Sequence, residues 1–86
     1  MTTQQKLDCL LTHLNVLTPQ QGDGVSLRAQ DITLLCEKCG FKNNAEIAFY
    51  IRSLQDEQLV KSHCAKDNTI LAATITINGY RRLDEL

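Results

Sequence analysis

Asn43-Asn44-Ala45-Glu46-Ile47-Ala48-Phe49-Tyr50-Ile51-Arg52-Ser53-Leu54, continuing through Gln55-Asp56-Glu57-Gln58 to Leu59-Val60, is the stretch on which the fold turns. Ile47, Tyr50, Ile51 and Leu54 fall at i, i+3, i+4 and i+7, so one stripe of an α-helix is apolar and can face a core. Asn43 and Glu46 have capping-box spacing: Asn43 accepts from a first-turn N–H while Glu46 reaches back to the cap's own N–H. Leu59-Val60 then opens a β-prone run. A one-sided helix handing over directly to an extended segment is the organising feature.

Upstream, Thr2 to Leu17 reads as a first helix, with Thr2 and Gln5 as a capping box and Leu7, Leu10, Leu11 and Leu14 on one face. Cys9, His13 and Val16 lie nearly opposite and are expected on its outer side. That side suits a solvated face or a contact with a partner subunit or neighbouring domain. Thr18-Pro19-Gln20-Gln21-Gly22-Asp23-Gly24 reads as a loop, Pro ending the helix. Val25-Ser26-Leu27 alternates like a short strand. A second helix follows Gln30-Asp31, its stripe formed by Ile32, Leu35, Cys36 and Cys39, and Gly40 stops it. The short connection through Phe41 and Lys42 suits a helix-turn-helix crossing.

Downstream, Lys61-Ser62-His63-Cys64-Ala65 and Thr69 to Ile77 read as two strands, with Lys66-Asp67-Asn68 as the turn of a β-hairpin. Thr76 is placed to cap a last helix, Asn78 to Leu86, that buries Tyr80, Leu83 and Leu86.

The order helix, short strand, helix, helix, hairpin, helix resembles the winged helix-turn-helix family over nearly the whole chain. Three places carry the resemblance: Ile47-x-x-x-Ile51-x-x-Leu54 followed by Leu59-Val60, Gly40-Phe41 just before it, and Thr76-Ile77-Asn78-Gly79-Tyr80-Arg81-Arg82-Leu83, similar to the family's T-x-x-G-x-x-x-L ending. It implies a small α+β winged helix: a three-helix core, a short strand, a hairpin wing and a C-terminal helix. Winged helices usually have Gly where Gln58 stands, so Gln58 implies strain or a different turn.

The same resemblance implies DNA binding in transcription regulation. It places Asn44, Phe49, Arg52 and Ser53 on the reading helix and Lys42, Lys61, His63 and Lys66 against phosphates. Charge speaks against it. Nine basic and ten acidic side chains in 86 residues give a net charge of −1, which excludes attraction to phosphates by bulk charge. Between Arg28 and Lys61 the cations Arg28, Lys38, Lys42, Arg52 and Lys61 are matched by Asp31, Glu37, Glu46, Asp56 and Glu57. Ala48-Phe49 also sits where a reader carries polar groups. An exposed Phe49 flanked by Ala45, Ala48 and Arg52 instead resembles a protein-binding patch. The competing expectation is a protein-interaction or interdomain module, or a homodimer through the outer faces of the first or third helix.

Four cysteines without a secretory signal read as reduced thiols in a cytoplasmic protein. Cys36-Glu37-Lys38-Cys39-Gly40 has the look of a zinc knuckle that His63-Cys64 would complete. It lacks a second spaced pair, and both cysteines fall on an apolar stripe, so core filling is expected and no metal. A redox role would place the pair at a helix start. His13 and His63 lie in different elements without an evident carboxylate or nucleophile, while Asp8, Asp31 and Glu37 read as solvated helix positions. No catalytic residue and no cofactor are expected. No run is apolar enough to cross a membrane. The chain reads as one domain, and because it ends at Leu86 still in helical pattern, as a piece of a longer protein.

Overall fold

The computed structural model describes residues 2–21, 25–64 and 71–86, less the side chains of residues 19–21, 63, 64 and 71. These form four helices and a three-stranded antiparallel sheet: α1 (Thr3–Gln21), β1 (Val25–Leu27), α2 (Ala29–Cys39), α3 (Asn44–Asp56), β2 (Val60–Cys64), β3 (Leu71–Ile75) and α4 (Ile77–Asp84). The sheet order is β1-β3-β2, with Val25 opposite Ala73 and Val60 opposite Ile75. This α+β layout is compatible with that of a winged helix. The hairpin turn at Lys66-Asp67-Asn68 lies outside the described residues.

The leucine face of α1 is the centre of the core. Leu10, Leu11 and Leu14 are wholly buried, against Ile47, Ile51 and Leu54 of α3, Leu35 of α2, and Val25, Val60, Ala73 and Ile75 of the sheet. The Thr2–Gln5 capping box forms in both directions, with Thr2 N–H donating to Gln5 Oε1 at 2.9 Å and Gln5 N–H to Thr2 Oγ1 at 3.2 Å. Pro19 does not end α1, which continues to Gln21. Proline in a helix removes one i→i−4 bond, and so near a C-terminus little helix remains to be lost. One turn earlier, buried Leu17 still anchors the leucine face in the core.

Helix α2 starts at Ala29, ahead of the expected position, because Asp31 is its third residue and accepts from Arg28 N–H at 3.0 Å. Asp31 is therefore buried, not solvated. Gly40 ends α2 in the left-handed region, φ 74°. Asn43 caps α3 by accepting from Glu46 N–H at 3.0 Å. The reciprocal half of that box is replaced, since Glu46 turns to Lys6 Nζ of α1 at 3.0 Å.

The passage from α3 to β2 is built on Gln58, which takes φ 62°. Its N–H donates to Gln55 O at 2.8 Å, Leu59 N–H donates to Leu54 O at 2.9 Å, and Thr76 N–H donates to Leu59 O at 3.0 Å. The T-x-x-G ending then acquires a physical meaning. Thr76 Oγ1 donates to Gln58 O at 2.6 Å and accepts from Gly79 N–H at 3.2 Å, so one hydroxyl ties the turn to the start of α4. Gly79 is where α4 meets that turn: a Cβ there would stand 2.2 Å from Leu59 O. The buried residue of α4 is Gly79, while Tyr80 and Leu86, expected inside, are exposed. Arg82 fastens α4 to α1 through Asp8, with Nη2 2.9 Å from Oδ2 and Nε 3.1 Å from Oδ1. The Asp8 hydrogen bonds first, then its charge, raise the Arg82 pKa above its ordinary value; partial burial opposes this and Glu85 assists.

Candidate nucleic-acid interface

Helix α3 presents three longitudinal strips outside the core. Asn44, Ala48 and Gln55 are at i, i+4 and i+11 and share one flank, while Ala45, Phe49, Arg52 and Asp56 form the outward crest. Ser53 is nine residues from Asn44, so it lies about 180° round the helix on the opposite flank. There its hydroxyl donates back to Phe49 O at 3.1 Å. The expected reading set is thus divided. Asn44 and Arg52 are exposed on adjoining strips, Phe49 is 64% exposed on the crest, and Ser53 belongs with Glu46 on the side facing α1.

The Asn44 flank runs between two hollows. At its start, Arg28, Thr33 and Asn44 line one between the first turns of α2 and α3. At its end, Gln55, Lys61, Ser62 and Asn78 line the other, against the wing. Gln55 joins helix to wing directly, because its Oε1 accepts from Ser62 N–H at 2.9 Å and from the Ser62 hydroxyl. Arg28 and Gln55 are members of this surface that sequence reasoning missed. Arg28 had a signal, a cation directly before a helix whose third residue is Asp; Gln55 had its i+11 spacing from Asn44. Lys42 is exposed in the α2–α3 turn and Lys61 is exposed on β2. His63 lies in β2 with its side chain outside the described residues, as does the whole of Lys66.

The charge tally changes once the fold is known. Lys6 neutralises Glu46 and also lies 5.8 Å and 5.9 Å from the ring centres of Tyr50 and Phe41. Asp31 is turned inward. Among the described residues, Arg28, Lys42, Arg52 and Lys61 have no ion-pair partner. Between Arg28 and Lys61 the carboxylates left exposed are Glu37 on α2 and Asp56 and Glu57 at the C-terminal end of α3. Cations therefore flank the Asn44 strip at both ends. Such a surface can meet phosphates on two sides of a groove while amide and guanidinium groups face base edges.

On the α1–α2 side three expectations are corrected. The cysteines are not all free thiols, because Cys9 and Cys39 form a disulfide; Cys36 is free and half-buried. Cys9 and His13 are not on an outer face, because α2 packs on that flank of α1 and leaves only Val16 of the three exposed. His13 does have a carboxylate beside it: its Nε2 is 3.6 Å from Asp31 Oδ1, buried and without a hydrogen-bond partner among the described residues. Among the described residues no three His, Cys, Asp or Glu side chains converge as metal ligands would. With its sulfur bonded to Cys9, Cys39 has no thiolate to offer a zinc ion. Next to the disulfide runs an open groove of about 540 Å³, whose walls include Val16, Leu34, Lys38 and Leu86.

The chain matches no known family, no curated protein and no solved structure. No described helix is long and apolar enough to cross a membrane.

Proposed function

We propose that this chain is a winged helix-turn-helix domain that binds double-stranded DNA and regulates transcription. In this reading the Asn44–Ala48–Gln55 flank of α3 enters the major groove with Arg52 at its outer edge. Arg28 and Lys42 meet phosphates at one end and Lys61 meets them at the other. The observation that carries it is the pairing pattern around α3: Glu46 and Asp31 are occupied within the fold, and the four cations bordering the flank have no ion-pair partner among the described residues. Net charge alone would have argued the opposite, which is why local pairing matters more here than composition. The cytoplasmic setting expected from four reduced thiols loses that support with Cys9–Cys39, since disulfides persist in oxidising environments and are rare and mostly transient in the cytosol.

Titration of a fluorescent random duplex tests this. Three phosphate contacts, from Arg28, Lys42 and Lys61, give a slope of log K against log salt of about −2.7, and Lys42→Gln removes about 0.9 of it. Arg52→Ala weakens binding at every salt concentration. Absence of binding at low salt defeats the proposal.

Phe49 favours a second reading, docking onto a protein. It stands 64% exposed on the crest, edge-on to Tyr50 at 5.7 Å between ring centres, beside Ala45 and Arg52. Size-exclusion chromatography of the wild type beside Phe49→Ser separates the two. Loss of an oligomer in the variant supports docking through α3; identical monomer profiles remove a homodimer through that helix.

A further inference from the structure

We propose that Cys9–Cys39 is a reducible latch, opened by a dithiol reductant from the α1–α2 groove, that controls how firmly the α2–α3 turn is held. Its consequence for duplex binding rests on the function proposed above; the latch itself does not.

Position is the first reason. The bond spans 30 residues and joins the middle of α1 to the last residue of α2. The next residue, Gly40, is the left-handed pivot from which the chain turns into α3. Whatever loosens Cys39 therefore loosens the hinge between the helix that bears Arg28 and the helix that bears Asn44 and Arg52.

Access is the second. Both cysteines line the open groove, yet Cys39 is only 1% exposed and Cys9 is half-buried. An entering thiolate thus meets Cys9 Sγ, with Cys39 as the leaving group. Lys38, exposed on the same groove wall and without an ion-pair partner among the described residues, attracts the entering thiolate and stabilises the one that leaves.

The chemistry balances. The thiolate forms a bond to Cys9 Sγ, the Cys9–Cys39 bond breaks, and its electron pair leaves on Cys39 Sγ, which takes up a proton. The second thiol of the reductant then attacks its own sulfur in the mixed disulfide and releases Cys9. Two electrons pass from the dithiol, which ends as a disulfide, to the protein, which ends with two thiols.

The third reason is that the fold has other supports. Phe41 packed on Tyr50 at 5.1 Å and the Lys6–Glu46 pair do not involve either sulfur. The leucine face of α1, though Cys39 shares its core, also has Ile47, Ile51 and Leu54 of α3 in that core. Reduction leaves α1, α3 and the sheet assembled and frees the C-terminal turn of α2.

The test uses the full chain with Cys36→Ser and Cys64→Ser, so that one pair alone can form. Protein purified without reductant, unfolded and treated with a maleimide should stay unlabelled at Cys9 and Cys39; labelling of both overturns the proposal. The folded protein is then exposed to graded dithiothreitol. Reduction should run at least about tenfold faster than exchange of the Leu10–Leu14 amides, which report global opening. After reduction, amides 35–41 should exchange about tenfold faster while those of α3 and β2 keep their protection. Reduction only at the rate of global opening overturns the latch, as does unchanged exchange over 35–41. Duplex affinity should fall about threefold to tenfold on reduction, and Cys9→Ser/Cys39→Ser should match the reduced protein without reductant. Equal affinity in both redox states overturns the coupling to binding. If the oxidised protein binds no duplex, the nucleic-acid reading fails and labelling and amide exchange alone decide the latch.

Discussion

Two seams close this domain, and they are made in opposite ways. Between α1 and α2 the closure is covalent, with a buried His13–Asp31 contact beside it. Between α3, β2 and α4 it consists of backbone geometry: a left-handed Gln58, a threonine hydroxyl shared between two neighbours, and a glycine pressed against a carbonyl. The first seam asks little of the chain beyond two cysteines at the right places, and a reagent can undo it. The second has no single bond that matters most, and only a change of sequence alters it. A domain so divided has one adjustable side and one fixed side, with α3 held between them.

The largest expected effect comes from removing the covalent seam. Closing a loop of 30 residues constrains the unfolded chain, so Cys9→Ser/Cys39→Ser should lower unfolding free energy by about 3–4 kcal/mol. Urea denaturation checks this: the midpoint should fall with the slope little changed. A loss below about 1 kcal/mol would mean that the unfolded chain keeps the two helices together without the bond.

The fixed seam is probed next by Gly79→Ala. The new Cβ would meet Leu59 O at 2.2 Å and Ile75 Cγ2 at 2.6 Å, so α4 must move away from the turn. Overpacking of this kind costs about 1–3 kcal/mol, against which alanine's helix preference returns about 1. A net loss of up to about 2 kcal/mol in the same titration is expected. A gain would show that α4 rides loosely on the turn and that the contrast between the seams is false.

A smaller effect belongs to Asp31. Asp31→Ala leaves Arg28 N–H without its acceptor, at a cost of about 1 kcal/mol. Asp31→Asn keeps an oxygen for that N–H and should recover most of the loss. If Asn is as damaging as Ala, the carboxylate matters through its charge beside His13 more than through the cap.

These seams also mark what the sequence could disclose. Capping at Thr2, Asn43 and Thr76, the leucine face of α1 and the stop at Gly40 depend on residues three or four apart, and local spacing reveals them. Cys9 and His13 lie roughly 100–135° round α1 from the leucine stripe. Whether that flank is wet or covered depends on how α2 crosses α1, which no periodicity encodes. The same gap explains why Asp31 read as solvated and why the cysteines read as thiols. On α3, helical period sufficed to put Asn44 and Arg52 outside the core. It could not reveal that Glu46 would turn away to Lys6, a residue distant in sequence, and so it overstated the negative charge beside α3. Gln55 escaped notice because its role appears only when β2 lies alongside.

Gln58 offers the finest test, because it is where the sequence departs from what the backbone asks. At φ 62° a residue with a Cβ bears about 1–2 kcal/mol of conformational cost that glycine escapes. Glycine in turn gives up about 0.5–1 kcal/mol through its freer unfolded chain. The bonds that define the turn use the backbone of Gln58 and the hydroxyl of Thr76, not the glutamine side chain. Gln58→Gly should therefore raise stability by roughly 0.5 kcal/mol, seen as a small upward shift of the urea midpoint, and should leave Cys9–Cys39 reduction unaffected. A loss instead would assign the glutamine side chain a part in holding the wing. A change in the reduction rate would mean that the two seams communicate through α3, and the domain would then behave as one closure, not two.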